Sequence, residues 1–445
     1  MGLQDFIITP FILLIIYAGA YLMMGRVTNA HTRPFFLPAL TLKVIGAISV
    51  GLVYQFYYSG GDTFNYYFYG GTRYIWEAFL DNPVYAFKMI FGPNTYDADT
   101  FEYTRRIITY RDSSSYFVVR VTGIFSIITL NTYSGIAVCF AAASFSGLWA
   151  MYRGFYRLYP HLYKGFAYAI FFIPSVFFWG SGILKDTITL GAVGWMAWCF
   201  LNLIHRRKFL VSIIITLACM YVLYMVKIYI LLSFLPAALF WIGYDNVRKI
   251  KNTLLKIAIA PVLISAMVGL GYLMVEQIGQ GSKRYNIDAV FETAEITARY
   301  LYQKSVVEGG SAYTLGDFDY TPAGVVRKIP LAIWVSLYRP YIWESNNVVM
   351  LLSAMESLFF LLFTLYVLTK AGIGKFFRSF FKSPEVSFCL IFSVFFAFAV
   401  GFATYNFGSL VRYKIPLMPF YIIGFLLVLD YAKRSRKRGV LESTE

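Results

Sequence analysis

The segment Tyr58–Tyr69 reads YSGGDTFNYYFY and combines one carboxylate with glycines, an amide and several phenols. Asp62 follows a Gly-Gly pair, which allows backbone conformations that a residue with a Cβ resists. A carboxylate here could accept the proton of an incoming hydroxyl. The side chains of Asn65 and Tyr66 are suited to hydrogen bonding with a sugar or another acceptor. The segment therefore predicts a general base at Asp62, and the alternative is a plain cap or turn.

Cations near the ends of later apolar segments are candidates for binding phosphate. Arg412 and Lys414 lie two residues apart in Tyr405–Pro416, and Lys185 and Arg339 occupy comparable positions. Arginine binds phosphate through two parallel hydrogen bonds, and lysine adds a point charge. We predict that these four cations hold the phosphate of a lipid-linked ligand.

Two carboxylates beside these cations are weaker candidates for contacting the sugar or acceptor. Asp186 follows Lys185 and is expected to cap the next helix, whereas Glu344 is close enough in sequence to pair with Arg339. Lys185 could instead snorkel toward the membrane surface. Lys227, between two apolar segments, could also snorkel, and the sequence gives it no role.

The composition is that of a polytopic membrane protein. Of the 445 residues, 59% are hydrophobic, 20% are aromatic and 14% are charged, whereas soluble domains are about half apolar and about a quarter charged. The formal charge of +16 sits in short loops between apolar segments, which argues against nucleic-acid binding. The four cysteines are scattered singly and predict neither a metal site nor a disulfide framework.

Apolar segments of about 20 residues predict eleven transmembrane helices in one all-α membrane domain, residues 1–445. The predicted spans are Phe6–Met24, Leu37–Tyr57, Tyr133–Tyr152, Gly165–Ile183, Thr187–Ile204, Phe209–Met225, Ile228–Tyr244, Leu254–Val275, Val348–Thr369, Val386–Thr404 and Lys414–Tyr431.

Loop charges predict the orientation of these spans in a cell (inner) membrane. Eleven crossings place all the basic loops on one side, which the positive-inside rule assigns to the cytoplasm; they are Arg26–Arg33, Arg153–Lys164, Arg206–Lys208, Arg248–Lys251, Lys370–Lys382 and Lys433–Arg438. The amino terminus is then outside and the carboxyl terminus inside.

Two large loops, residues 58–117 and 276–347, are predicted outside the membrane. Val118–Leu130 is apolar but short and contains Arg120, so we expect an interfacial helix rather than a crossing. The second loop should contain a helix over Ile287–Val306 and an interfacial segment over Val325–Trp343.

Histidine chemistry is not expected on the outer face, because His31, His161 and His205 all fall in predicted cytoplasmic loops. The DxD patterns Asp97–Asp99 and Asp317–Asp319 could suggest a metal-bound sugar nucleotide. We interpret them as solvated loop acids, since other charges surround them. The sequence requires neither a metal nor another cofactor.

The order of these parts resembles the GT-C superfamily of integral-membrane glycosyltransferases, which includes protein mannosyltransferases and the aminoarabinose transferase of lipid A. The matching features are Asp62 in the first large outer loop, the helix Val118–Leu130, a span ending near Pro174–Ser175, and the basic pair Arg412 and Lys414. The family's acidic loop usually follows its first span, so an additional amino-terminal helix is implied here.

The resemblance implies transfer of a sugar from a polyprenyl-phosphate donor to a glycan, lipid or protein acceptor. Asp62 would activate the acceptor hydroxyl. One alternative is a polysaccharide polymerase or ligase of envelope assembly, and another is a transporter or flippase of lipid-linked glycans. We find no internal repeat, and the polar groups cluster at one face, which favours surface chemistry over transport.

The predicted orientation can be tested by cysteine labelling of intact cells. A cysteine introduced by Gly309→Cys should react with a membrane-impermeant maleimide without permeabilisation, because the second large loop is predicted outside. Labelling of this cysteine only after permeabilisation would contradict the orientation.

Overall fold

A computed structural model describes residues 2–69, 71–249, 311–316 and 322–442, with isolated positions between 261 and 307. The chain divides into two compact units, Met1–Ile228 and Tyr229–Glu445. The predicted span Leu254–Val275 and the predicted helix Ile287–Val306 lie outside the continuously described residues. The regular secondary structure of the described residues is helical, apart from an isolated antiparallel bridge between Ala312 and Asn406.

The helices of the first unit begin close to the amino terminus. They are α1 (Leu3–Val27), α2 (Arg33–Leu52), α3 (Asp62–Phe64), α4 (Thr72–Asp81), α5 (Pro83–Phe91), α6 (Phe101–Thr104), α7 (Ser113–Ile128), α8 (Tyr133–Leu158), α9 (Tyr163–Phe171), α10 (Pro174–Trp179), α11 (Lys185–Ile204) and the first part of α12 (Phe209–Lys249).

The second unit takes the remainder of α12 and the later helices. These are α13 (Pro322–Tyr338), α14 (Val348–Ala371), α15 (Ile373–Lys382), α16 (Pro384–Ala403), α17 (Phe407–Tyr413) and α18 (Leu417–Glu442).

The protein is an integral membrane protein. Within the described residues, seven helices are long and apolar enough to cross a membrane, and an eighth crossing results if the bent pair α17 and Leu417–Arg436 counts as one span. The eleven predicted crossings are therefore not all reproduced. Six predicted spans coincide with single helices: α1, α2 with its extension to Tyr57, α8, α11, α14 and α16.

The predicted span Gly165–Ile183 is two short helices, α9 and α10, rather than one long helix. Pro174 causes the break, because proline has no N–H to donate and restricts the residue before it to extended conformations. Ile173 accordingly has φ −73° and ψ 123°, and Pro174 opens α10. The sequence located this proline but not its effect on the span.

Two predicted spans, Phe209–Met225 and Ile228–Tyr244, lie in α12, which consists of two helical parts joined at a kink. Lys227 interrupts this helix with a non-helical backbone, φ −148° and ψ 78°. This break falls between the two predicted spans and confirms the predicted boundary.

Helix α7 is a short apolar helix of 16 residues at the predicted interfacial segment. At 1.5 Å per residue it is about 24 Å long, less than the roughly 30 Å of a bilayer's hydrocarbon core. Asp112 caps it by accepting a hydrogen bond from the Ser114 N–H at 3.1 Å. This length agrees with a helix that does not cross.

Helices α8 and α11 approach each other through glycines. A Cβ on Gly147 would lie 2.0 Å from the backbone oxygen of Gly191, and one on Gly194 would lie 2.4 Å from the oxygen of Gly147. Small residues at such a contact allow two membrane helices to pack backbone against backbone. The contact fixes α11, whose first turn carries Lys185 and Asp186.

We predict that Gly147→Ala lowers the free energy of unfolding by about 1–3 kcal/mol, since the added methyl group forces two backbones apart. Gly19→Ala is the matched control, because a Cβ there meets nothing within 4 Å; alanine should even stabilise that helix by about 0.5–1 kcal/mol. Thermal unfolding in detergent measures both variants. Equal midpoints would show that the α8–α11 contact is not tight.

Candidate functional site

The Gly-Gly pair before Asp62 adopts backbone conformations that favour glycine. Gly60 has φ +142° and Gly61 has φ +118°, and a Cβ on Gly61 would lie 2.7 Å from the ring of Tyr54. Ser59, just before them, also has a positive φ of 52°. The expectation for this glycine pair is therefore confirmed.

Two π-helical turns flank Asp62. The first, Val53–Tyr57, continues from the end of α2, and the second, Asn65–Tyr69, follows the short helix α3 that Asp62 begins. Such turns are rare and occur frequently at functional sites. Their position on both sides of the predicted base marks this segment as the strongest candidate site in the first unit.

A cavity of about 660 Å³ lies beside this segment. Its walls combine aromatic rings with amide, hydroxyl and carboxylate groups; the lining residues are Gly2, Leu3, Gln4, Asp5, Gln55, Ser59, Gly60, Phe64, Tyr67, Phe68, Tyr69, Asn131, Thr132 and Tyr133. The volume is in the range of small-molecule sites.

The cavity wall is anchored to the start of α8. The Phe64 ring stacks on the Tyr133 ring with centroids 5.0 Å apart. The Thr63 hydroxyl and the Tyr133 hydroxyl lie 2.7 Å apart, and the Tyr67 hydroxyl donates to the Asn131 backbone oxygen at 2.6 Å. These contacts hold the segment after Asp62 in one position.

The three residues that the sequence assigned to catalysis and sugar contact differ in exposure. Asp62 is half-buried and Asn65 is exposed, but Tyr66 is buried in the core of the unit. The Tyr66 carbonyl accepts a hydrogen bond from the Thr72 hydroxyl at 2.9 Å. None of the three is among the described residues that line the cavity, although its lining flanks Asp62 on both sides in sequence.

Asp5 is a buried cavity residue that the sequence analysis missed. One of its carboxylate oxygens accepts hydrogen bonds from the Ser134 N–H at 2.8 Å and the Ser134 hydroxyl at 2.7 Å, and the other accepts from the Gly2 N–H at 2.7 Å. The carboxylate thereby ties α1 to the first turn of α8. Ser134, the partner on α8, is 129 residues away in sequence, so no local pattern indicates this role.

Lys185 contacts the cap of α7. Its ammonium donates to the Ser114 hydroxyl at 2.7 Å and lies 3.6 Å from an Asp112 carboxylate oxygen. Burial alone would raise the pKa of Asp112, but Lys185 and hydrogen bonds from Ser115 and Ser114 outweigh it and lower the pKa to about 2. Ionised Asp112 thus stabilises the fold above its unfolded pKa, and this stabilisation is lost as the pH falls toward 2.

Asp186 and Lys227 form a buried ion pair with an N–O distance of 2.5 Å. The snorkelling suggested for Lys227 is wrong, because its side chain turns inward at the break in α12. The capping suggested for Asp186 is also wrong: Leu184 occupies the cap position, and Asp186 lies in the first turn of α11. There its charge still favours the helix amino terminus.

In the second unit, Arg339 and Glu344 pair as the sequence suggested. Two guanidinium nitrogens of Arg339 contact the two Glu344 carboxylate oxygens, one of them at 3.1 Å. The guanidinium also lies over the rings of Phe407, Tyr341 and Tyr313, at 5.0, 5.8 and 5.9 Å from their centroids. The Arg339 guanidinium is thus paired with a carboxylate and lies near three aromatic rings.

Lys414 is brought next to Arg339. Its ammonium is buried and donates to the Ser357 hydroxyl at 3.1 Å and to the Arg339 backbone oxygen at 3.3 Å. Arg412 lies on α17, half-buried, with its guanidinium 6.0 Å from the centroid of the Tyr413 ring. The predicted phosphate-binding cations of this unit therefore cluster around one short helix.

A second group that the sequence analysis missed is Lys43, near the middle of the candidate span Arg33–Tyr57. Its side chain is fully buried and donates to the Gly180 backbone oxygen. The expectation that ionisable groups keep to one face is wrong at this position. Such residues inside spans are functional candidates by default.

The first DxD pattern has the arrangement expected of solvated loop acids. Asp97 and Asp99 are exposed, and Asp99 forms an ion pair with Lys88. The second pattern, Asp317–Asp319, lies outside the described residues.

We predict that Asp186→Asn lowers the free energy of unfolding by about 3–5 kcal/mol, because it leaves Lys227 charged and buried without its carboxylate. Glu102→Gln is the control: it breaks an exposed pair with Arg105 and should leave the free energy of unfolding nearly unchanged. Thermal unfolding in detergent compares them. A double variant, Asp186→Leu with Lys227→Met, should recover most of the lost stability. Equal losses in Asp186→Asn and in the control variant would contradict the buried pair.

The sequence matches no known protein family, no curated protein and no solved structure. The functional interpretation therefore depends on the side chains described above.

Proposed function

We propose that the protein is a membrane glycosyltransferase that moves a sugar from a polyprenyl-phosphate donor to an acceptor on the extracytoplasmic face. The observation that carries this proposal is the segment around Asp62. It has three consecutive positive φ angles and two π-helical turns, and it borders a cavity of about 660 Å³. The two glycines adopt positive φ readily, but Ser59 carries a Cβ, and a residue of that type held at positive φ is the kind of backbone strain that concentrates at functional sites.

In the proposed reaction, the acceptor hydroxyl attacks the anomeric carbon of the donor sugar. Asp62 takes the hydroxyl proton as the new C–O bond forms. The bond between the anomeric carbon and the phosphate oxygen breaks, and its electron pair leaves with the lipid phosphate. Cations near that phosphate stabilise the developing negative charge.

The chemistry of the cavity supports a carbohydrate ligand. Rings such as those of Phe68 and Tyr69 offer apolar faces to a sugar, and the amides of Gln4 and Gln55 offer donors and acceptors for its hydroxyls. A mainly apolar wall with a few polar groups is typical of ligand sites. We assign the cavity to the glycan, in the unit that also carries Asp62.

The cations differ in how well they suit phosphate binding. Arg339 already holds Glu344, and Lys185 already contacts Asp112 and Ser114. Lys414 donates to two neutral oxygens, those of Ser357 and the Arg339 backbone, and the buried Glu356 carboxylate lies near enough to interact with its charge. We therefore propose Lys414 and the half-buried Arg412 as the main phosphate ligands of the second unit, where Lys414 also contacts the Arg339 backbone. In the first unit, Lys185 instead holds the cap of α7.

A transporter of lipid-linked glycans is the second candidate, and Lys43 is the observation that favours it. A buried ammonium in the middle of a span is typical of substrate and ion pathways. The two functions differ in what they require of Asp62, since transport breaks no glycosidic bond.

We predict that Asp62→Asn lowers the rate of sugar transfer by about 10²–10⁴-fold while the protein level stays normal, because the amide keeps the size of the side chain but accepts no proton. Transfer is measured in membranes supplied with a panel of radiolabelled polyprenyl-phosphate sugars. Asp97→Asn is the control, as it changes an exposed carboxylate of the same predicted loop.

Asp62→Leu separates catalysis from folding. If Asp62 only forms a turn, Asn should replace it well, and only the leucine variant should lose protein. Full transfer activity in Asp62→Asn would remove the base from the mechanism.

A further inference from the structure

Helix α15 connects two candidate membrane spans, α14 and α16, through very short turns. Gly372, at φ +83°, separates it from α14, and Ser383 separates it from α16. A ten-residue helix of about 15 Å cannot cross the bilayer. It must therefore lie where α14 leaves the membrane.

The surface of α15 is divided into three faces. Phe376 and Phe380 pack against the unit, with ring centroids 5.9 Å from Phe425 and 6.4 Å from Phe240 respectively. Ser379, on the same side, is buried. The packing of this face sets the rotation of α15 about its own axis.

The second face is apolar and exposed. Ile373, Phe377 and Phe381 have relative exposures of 67%, 54% and 63%. At 3.6 residues per turn these three side chains lie within about 80° of one another. An apolar stripe of this kind on a helix at the membrane surface fits the boundary between headgroups and acyl chains.

The third face is basic. Lys375, Arg378 and Lys382 are centred about 130° from the apolar stripe, and α15 contains no acidic residue. A further cation reaches this end of the unit, since the Arg436 guanidinium donates to the Lys370 backbone oxygen at 2.7 Å. With the apolar stripe in the acyl layer, the basic face is at headgroup level.

We propose that α15 is a binding site for anionic phospholipid headgroups. Its cations contact the phosphates while Ile373, Phe377 and Phe381 insert among the acyl chains. The charge of the helix is complementary to an anionic leaflet, and its place between two spans brings it to that leaflet. This role is independent of glycosyl transfer, and it agrees with the cytoplasmic side predicted for Lys370–Lys382.

The test uses the full-length protein in detergent, titrated with short-chain phosphatidylglycerol or phosphatidylcholine while thermal unfolding is followed. Phosphatidylglycerol should raise the unfolding temperature and phosphatidylcholine should not. Each surface cation contributes about a fivefold change in affinity for anionic lipid. The triple variant Lys375→Gln, Arg378→Gln, Lys382→Gln should therefore bind phosphatidylglycerol about 100-fold more weakly.

The matched control neutralises three exposed cations between α11 and α12, with Arg206→Gln, Arg207→Gln and Lys208→Gln. It should keep the wild-type response, because those cations lie in the turn between α11 and α12 and not on the surface of α15. An unchanged response in the α15 variant, or an equal loss in the control, would overturn the proposal.

Two further measurements identify the ligand as a lipid. Phe377→Ser with Phe381→Ser should weaken the response to phosphatidylglycerol, since the acyl contact is lost while the cations remain. Inorganic phosphate should not stabilise the wild type. Two outcomes would refute a lipid site. The first is that inorganic phosphate stabilises the protein as much as phosphatidylglycerol does. The second is that phosphatidylglycerol makes the protein self-associate, as an increase in particle size would show, and that this association accounts for the stabilisation.

Discussion

The buried ion pair between Asp186 and Lys227 is the interaction on which the first unit most depends. A charge removed from water is costly unless an opposite charge and hydrogen bonds compensate it. The pair joins the first turn of α11 to the break in α12, and glycines bring α11 against α8. The adjacent Lys185 continues this connection to the cap of α7. The dipeptide Lys185–Asp186 thus connects α11 to both α7 and α12.

The separation in sequence between interacting residues decides what the sequence could predict and what it could not. Hydropathy reports the transfer free energy of a local segment, so most spans, the short apolar helix α7 and the boundary at Lys227 were predictable. Near neighbours were predictable too, as Arg339 and Glu344 show. The partners of Asp5, Lys43 and Lys227 lie 41 to 137 residues away, and only the fold brings them together. Pro174 was visible, but whether a proline bends or ends a span depends on neighbouring helices.

The candidate site combines a rigid frame with an irregular segment. Asp62 begins a helix of three residues between two π-helical turns, and the following residues are held by the rings at the start of α8. An irregular backbone sets the direction of a side chain, and the surrounding contacts prevent that backbone from relaxing to a regular conformation. The sequence showed the irregularity through Gly60 and Gly61. It could not show the cavity, whose wall comes from three separate stretches of the chain.

Lys43 has a consequence for biosynthesis. The oxygen that accepts its hydrogen bond belongs to Gly180, which is synthesised 137 residues later. A lysine at the centre of an inserting helix costs about 2.5–3.5 kcal/mol, whereas each leucine, isoleucine, valine or phenylalanine returns only about 0.3–0.6 kcal/mol. When α2 leaves the translocon, its ammonium therefore has to be solvated by water or headgroups. Lys43 gains its final partner only after Gly180, at the end of α10, has been synthesised, so the packing of α2 in this unit is completed after that of its own span.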